Sequence, residues 1–198
     1  MTLRRLLVLL VVALPLAIGS PIAQAATDGH ADTERDVRVF PISGNGVPKG
    51  PTTDVPNRVH GDIWRIRVNH SDTKVNVYIL MTQIDRKGEL HSYDLRFRTG
   101  KIERIAHVKA YPDQWPGTKV TLFRPDGKSV ACPGVSRVLD YRANSAIITI
   151  PTACLGKPQW VRVAATVSQR IAGKLYFDQA YATGGKFGTP VYGPRIGH

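Results

Sequence analysis

The chain has 198 residues with 27 Lys and Arg, 15 Asp and Glu, and a formal net charge of +12. That length suits one domain with a core of its own. Beyond the first residues no stretch is apolar over the roughly 20 residues that a membrane-spanning helix needs. The surplus of positive charge favours acidic partners such as wall polymers, anionic lipid or nucleic acid, although solubility alone would also explain it.

The first 25 residues have the parts of a cleaved Sec-type signal peptide. Arg4 and Arg5 give a positive start, residues 6–18 are apolar apart from a break at Pro15, and the segment 23–25 has small residues at both ends. We predict a signal peptide over residues 1–25 and a secreted or cell-surface protein, with a retained membrane anchor as the alternative. The mature chain would keep a charge of +10, which is +12 less the two signal-peptide arginines, and would have no membrane span.

Residues 26–57 are predicted to be a polar arm followed by a loop. The segment 26–36 is polar and locally acidic, which is typical of a mobile terminus. The sequence VRVF at 37–40 has the composition of a short strand. Residues 41–57 are dense in glycine and proline and cannot form a helix, so we expect a long loop there.

A two-residue period begins at Asp62, near the start of the predicted domain 58–182. Trp64, Ile66 and Val68 alternate with Ile63, Arg65, Arg67 and Asn69. Polar turn residues follow, and the alternation resumes over 75–81. Two alternating runs around a short polar connection predict a β-hairpin with one apolar face.

The same pattern recurs towards the C-terminus. Further strands are predicted within 92–98, 104–111, 118–123, 135–141, 145–150, 160–168 and 174–177, with a turn at 124–127 and a single helical or 3₁₀ turn at 151–156. Many short strands separated by Gly and Pro predict an all-β fold, an antiparallel β-sandwich of the jelly-roll or immunoglobulin-like kind. Residues 183–198 have little to bury and are predicted to form a loosely ordered tail, with Phe187, Val191 and Tyr192 lying across the sheet as the alternative.

The two cysteines are Cys132 and Cys154. An even number in an oxidising compartment favours one structural disulfide. A catalytic thiol or a metal-binding pair is the alternative. The separation matches no compact zinc motif, and neither cysteine lies in a recognisable nucleophile sequence.

Signatures of several enzyme classes are missing from the sequence. It has no G-x-S-x-G elbow and no H-E-x-x-H helix, and no spacing singles out a pair of acids for glycoside hydrolysis. We therefore predict no catalytic residue and no cofactor. The histidine spacing enforces no metal site. A calcium site built from Asp54, Asn57 and Asp62 is conceivable, because loops beside a sandwich can supply oxygen ligands.

Five arginines lie on the polar side of predicted strands: Arg65, Arg67, Arg96, Arg98 and Arg162. If those strands share a sheet, the arginines form a basic stripe, to which Tyr78 and Trp160 could add flat apolar surfaces. Such a stripe would bind an anionic wall polymer or polysaccharide through its charged groups; nucleic acid is the least expected partner. Alternatively, the arginines only cover a solvated face and prevent edge-to-edge aggregation.

Two segments, GDIWRIRVNHSDTKVNVYI and IPTACLGKPQWVRVAATV, resemble a group of small secreted proteins of actinobacteria. Those proteins carry a signal peptide, an early "GD…RV…H…V.V" hairpin and a late "P..CLG.P.WVRV" segment. The resemblance implies a β-sandwich, matches Cys154 to the cysteine of "CLG" with Cys132 as its partner, and implies no catalytic residue.

The sequence as a whole predicts a secreted, non-catalytic extracellular or cell-surface module that binds an anionic polymer through its arginines. A secreted hydrolase acting on cell-wall or extracellular glycan, and a structural accessory protein, are the alternatives.

Overall fold

The computed structural model describes residues 26–32, 36–43, 49–55, 57–84, 86–182 and 189–198. The predicted signal peptide lies outside the described residues. The described chain is all-β, with one 3₁₀ turn at Thr152–Leu155. Within these ranges, no helix has the length and apolar character needed to cross a membrane.

In the described part of the chain, fourteen strands form two antiparallel sheets. Sheet A has the order β1-β4-β5-β11-β10, and sheet B has the order β3-β2-β13-β12-β6-β7-β8-β9, with β14 paired to β12. The strands are β1 (Ala26–Ala31), β2 (Arg38–Pro41), β3 (Thr53–Asp54), β4 (Ile63–His70), β5 (Lys74–Met81), β6 (Leu90–Arg98), β7 (Glu103–Ala110), β8 (Thr121–Phe123), β9 (Ser129–Val130), β10 (Ser136–Asp140), β11 (Ser145–Pro151), β12 (Trp160–Ile171), β13 (Lys174–Gln179) and β14 (Ile196–Gly197).

The core lies between the two sheets and is built by the alternation seen in the sequence. In sheet A, β5 buries Val77 and Ile79, while in sheet B, β6 buries Tyr93 and Phe97 in the same cluster. Each buried side chain of this size stabilises the fold by roughly 1.5–3 kcal/mol relative to exposure. The predicted all-β antiparallel fold is confirmed, and the two sheets packed on one core have a sandwich-like arrangement.

The prediction for Trp64 is wrong. The register between β4 and β5 shifts between Ile63 and Arg65, which is a β-bulge. Because a bulge inserts one extra residue into a strand, the alternation changes phase at that point. Ile63 is therefore fully buried and Trp64 is only half-buried.

The predicted mobile arm contains a strand. β1 pairs with β4 along its whole length, from Ala26 opposite His70 to Ala31 opposite Arg65. The predicted strand at 37–40 exists as β2, and the loop that follows contains β3, which pairs with it. β1 and β3 are edge strands held mainly by backbone hydrogen bonds, which leave no apolar pattern in the sequence. β2 lies inside the sheet and buries Phe40, which agrees with the strand composition predicted for it.

The predicted loose tail is also corrected over residues 189–198. Ile196 is 4% exposed, and β14 pairs with the start of β12, opposite Val161. His70, which is completely buried, donates from Nδ1 to the carbonyl oxygen of Ile196 at 3.0 Å. A few contacts of this kind order a segment that has few apolar residues of its own. Residues 183–188 lie outside the described part of the chain.

The predicted disulfide between Cys132 and Cys154 is confirmed. The S–S distance is 2.01 Å and the two Cα atoms are 5.7 Å apart. The bond joins the segment after β9 to the 3₁₀ turn that follows β11, so it ties the end of sheet B to sheet A.

Candidate functional site

The five arginines predicted to form one stripe lie on two different sheets. Arg65 and Arg67 belong to β4 in sheet A, whereas Arg96 and Arg98 in β6 and Arg162 in β12 belong to sheet B. Since the sheets pack through their apolar faces, the two groups lie on opposite outer faces of the protein. The single stripe is therefore wrong.

The arginines of sheet B are engaged in contacts with the protein itself. Arg96 and Arg98 form ion pairs with Glu103 at 3.4 and 3.1 Å. Arg162 donates from Nε to the carbonyl oxygen of Gly193 at 2.7 Å and from Nη2 to that of Tyr192 at 2.9 Å. Arg98 and Arg162 hold the C-terminal segment on sheet B, and all three arginines have partners within the protein.

Glu103 is the centre of this network. Its carboxylate also accepts a hydrogen bond from the Tyr192 hydroxyl at 2.9 Å. Burial raises the pKa of Glu103, but the hydrogen bonds from Tyr192 and Arg98 outweigh burial and keep the pKa below its usual value. The charged network is therefore intact at neutral pH.

Sheet A presents a different outer face, which we call the Arg65–Arg67 face. It consists of Arg65 and Arg67 with the neighbouring side chains of β4, β5, β11 and β10: Trp64, Asn69, Asn76, Tyr78, Leu80, Ile147, Thr149 and Val138. The cross-strand register runs from Arg67 to Tyr78, from Tyr78 to Ile147, and from Ile147 to Val138. Val138 is 56% exposed. An apolar strip thus crosses the sheet with cations at one side.

Both cations of this face lie beside aromatic rings. The Arg65 guanidinium is 4.9 Å from the ring centroid of Trp64, and the Arg67 guanidinium is 5.9 Å from that of Tyr78. Such contacts orient a guanidinium and leave several of its N–H groups available. Trp64 is a member of this face that the alternation pattern missed, because the bulge is invisible in the sequence.

Amide and hydroxyl groups lie beside the arginines. Arg67 donates from Nε to Asn69 Oδ1 at 3.3 Å. Asn76 and Thr149 are in register with Asn69 across the sheet, and the Thr149 hydroxyl donates to Asn76 Oδ1 at 2.9 Å. The face therefore combines positive charge, flat apolar surface and neutral hydrogen-bonding groups.

The two faces differ in how their arginines are engaged. Among the described residues, the arginines with a carboxylate partner are Arg38, Arg96, Arg98, Arg124 and Arg170. Arg162 of sheet B is bonded to backbone carbonyl oxygens, whereas no described carboxylate pairs with Arg65 or Arg67. Trp160, predicted to join the arginine face, lies in sheet B with its ring 4.4 Å from the guanidinium of Arg195.

The calcium site conceived from Asp54, Asn57 and Asp62 is not assembled. Asp54 forms an ion pair with Arg38 at 3.1 Å and its side chain is 75% exposed. Asp62 lies instead with Asp36 and Asp178, and one carboxylate oxygen from each lies within 4.8 Å of the others. Residues so far apart in sequence have no common spacing that could have predicted this cluster.

Asp62 and Asp178 are buried, and Asp36 is half-buried, where β13 approaches the start of β4. Asp178 accepts from the backbone N–H of Ile63 at 2.7 Å. Burial, and then the charge of Asp36, raise the pKa of Asp178 to about 8, and burial also raises the pKa of Asp36. Three carboxylates are a donor set for a hard cation, and protonation of Asp178 lowers the negative charge of the same cluster by one without a cation.

Comparison of the chain with models of protein families, with curated proteins and with solved structures finds no match. The resemblance to secreted proteins of actinobacteria therefore stays a prediction.

Proposed function

We propose that this protein is a secreted, non-catalytic module that binds an anionic, hydroxyl-rich polymer, such as a wall polymer or acidic polysaccharide, on the Arg65–Arg67 face. The observation that carries the proposal is the pair of arginines without a carboxylate partner among the described residues, both set beside aromatic rings. Secretion is supported by the signal-peptide pattern and by the disulfide.

Each part of the face has a role in this proposal. The guanidinium groups of Arg65 and Arg67 bind carboxylates or phosphates of the polymer through charge-assisted hydrogen bonds. The rings of Trp64 and Tyr78 pack against apolar faces of the repeating units. Asn76 and Thr149 contact hydroxyl groups. A flat sheet face of this kind suits an extended chain better than a small molecule, which needs a concave pocket.

Charge reversal tests the proposal. We expect the double variant Arg65→Glu, Arg67→Glu to bind polygalacturonate and poly(glycerol phosphate) at least tenfold more weakly, because two attractive contacts become repulsive. The wild type should also elute from an immobilised polymer at higher salt. Affinity is measured by co-sedimentation or calorimetry at fixed ionic strength, after thermal unfolding has shown that the variant folds.

The matched control is Lys101→Glu, Lys128→Glu, which makes the same change in net charge at two exposed turns of sheet B. Equal weakening in this control would mean that net charge alone drives binding and would contradict the proposal. Shortened polymer fragments after incubation would favour the hydrolase alternative. Failure of the wild type to bind either polymer or to cleave it would favour a structural accessory protein.

A further inference from the structure

A groove of about 260 Å³ lies on the outer face of sheet B, opposite the Arg65–Arg67 face. Its walls and floor come from β6, β7, β12 and β13, with Pro190 at one side. A second hollow of about 270 Å³ shares His107 and continues towards β8. Either volume lies below the roughly 300–1,000 Å³ of sites for drug-sized ligands, so each hollow suits a small ligand.

One wall of the groove is a row of polar side chains that the strand register places side by side. Gln179 is opposite Thr166, Thr166 is opposite Asp94, and Asp94 is opposite His107. The Gln179 amide donates to the Thr166 hydroxyl at 3.4 Å, and His107 Nδ1 contacts the Asp94 carboxylate. Since neighbouring strands lie about 4.8 Å apart, donors and acceptors repeat at that spacing across the sheet.

The adjacent row of the sheet is mostly apolar. Ala164 and Ile105 are each in register with Arg96, and Phe123 continues the row on β8. Ala164 is 5% exposed, and the methyl side chain leaves room above it. The groove therefore has an apolar floor beside a polar wall.

Each charged side chain in the groove already has a partner within the protein. The Asp94 carboxylate contacts His107 Nδ1, and Arg96 is paired with Glu103 at 3.4 Å. A charged ligand would have to compete with one of these pairs, whereas a neutral ligand with hydroxyl groups can add hydrogen bonds to them. Neutral charge, a hydroxyl-bearing edge and an apolar C–H face are together the properties of a sugar ring.

We propose that this groove binds one neutral pyranose unit, with its apolar face on Ala164 and Ile105. The Asp94 carboxylate accepts hydrogen bonds from ring hydroxyls, and the Gln179 amide and His107 ring complete the polar wall. This site is separate from the Arg65–Arg67 face and does not depend on the function proposed for it.

The test is an NMR titration of the folded protein with the methyl glycosides of glucose, galactose, mannose and N-acetylglucosamine. We expect at least one glycoside to shift the backbone amide signals of β6, β7 and β12 in a saturable way. Asp94→Asn should lower the affinity for that glycoside at least tenfold, because it removes a charged acceptor. Ala164→Leu should prevent binding of the glycoside, because the larger side chain fills the floor of the groove. Asp113→Asn, at an exposed loop position, should leave binding unchanged.

Three outcomes would overturn the proposal. The first is that none of the four glycosides shifts the groove signals. The second is that methyl glucuronide binds more tightly than every neutral glycoside, which would show a site for an anion. The third is that Asp94→Asn and Ala164→Leu, shown to be folded, bind as well as the wild type. The variant Arg65→Glu, Arg67→Glu should retain glycoside binding, which separates this test from that of the polymer-binding face.

Discussion

Replacement of both Cys132 and Cys154 by alanine is expected to lower the free energy of unfolding by about 3 kcal/mol. The bond joins residues separated by 22 positions, so its loss frees a loop of that length in the unfolded chain. It also releases the 3₁₀ turn from the end of sheet B, with Leu155 of that turn buried in the core. Urea denaturation at constant pH measures the change through the midpoint and the slope m.

The control for this prediction is the wild type unfolded in the presence of a reducing agent. Its free energy of unfolding should approach that of the alanine variant, because both lack the cross-link. A difference from the oxidised wild type of less than 1 kcal/mol would contradict the prediction. It would mean that the native sheets hold the loop without help from the bond.

The second large effect is a dependence of stability on pH that originates at Asp178. The folded-state pKa of about 8 lies above the ordinary value of 3.8. Between these pH values the folded chain holds a proton that the unfolded chain has released, so stability falls as pH rises and levels off above about 8. The slope from this group is at most about 1.4 kcal/mol per pH unit.

Asp178→Asn isolates this contribution. Asparagine retains an oxygen for the N–H of Ile63 and has an N–H donor for Asp36, so it imitates the protonated acid. We expect the variant to match the wild type near pH 4 and to be clearly more stable at pH 8. Thermal and urea unfolding from pH 4 to 9, with EDTA present, measure the difference between the two proteins.

The stability of the wild type must be compared with that of Asp178→Asn at each pH, because other groups make stability rise with pH. Burial lowers the pKa of His70 below 6.5, so this residue reduces stability as pH falls through that range. Asp113→Asn is the matched control and should follow the wild-type profile. The prediction would be contradicted if the wild type became more stable relative to Asp178→Asn as the pH rises to 8. Stabilisation by added calcium in the wild type alone would show that a cation neutralises the cluster instead.

The strands of the core could be predicted well because their signal is local. Side chains such as Val77 and Ile79 are buried on one face of the sheet, and the period of two follows directly from strand geometry. The disulfide could be predicted from the number of cysteines and the expected compartment. Where pairing with a distant strand orders a segment, as in β1 and β14, the local pattern carried no signal and the predictions were wrong.

The candidate sites could be predicted only in part. The alternation of polar and apolar residues predicted which arginines lie on the outer side of their strands. It did not predict that these arginines are divided between two sheets. Trp64 was missed because one bulge changes the phase of β4. The groove at Asp94 and His107 depends on the register of four strands, and the Asp36, Asp62 and Asp178 cluster joins three distant segments.

The sequence by itself determined the period of burial along each strand, the solvated position of the arginines and the capacity to form one disulfide. Each of these depends on residue type and on neighbours in the chain. Only the tertiary structure decided which strands share a sheet, and therefore which cations face solvent without an acid and which side chains line a groove. Those outcomes depend on pairing between distant segments, which the free energy of the whole fold selects.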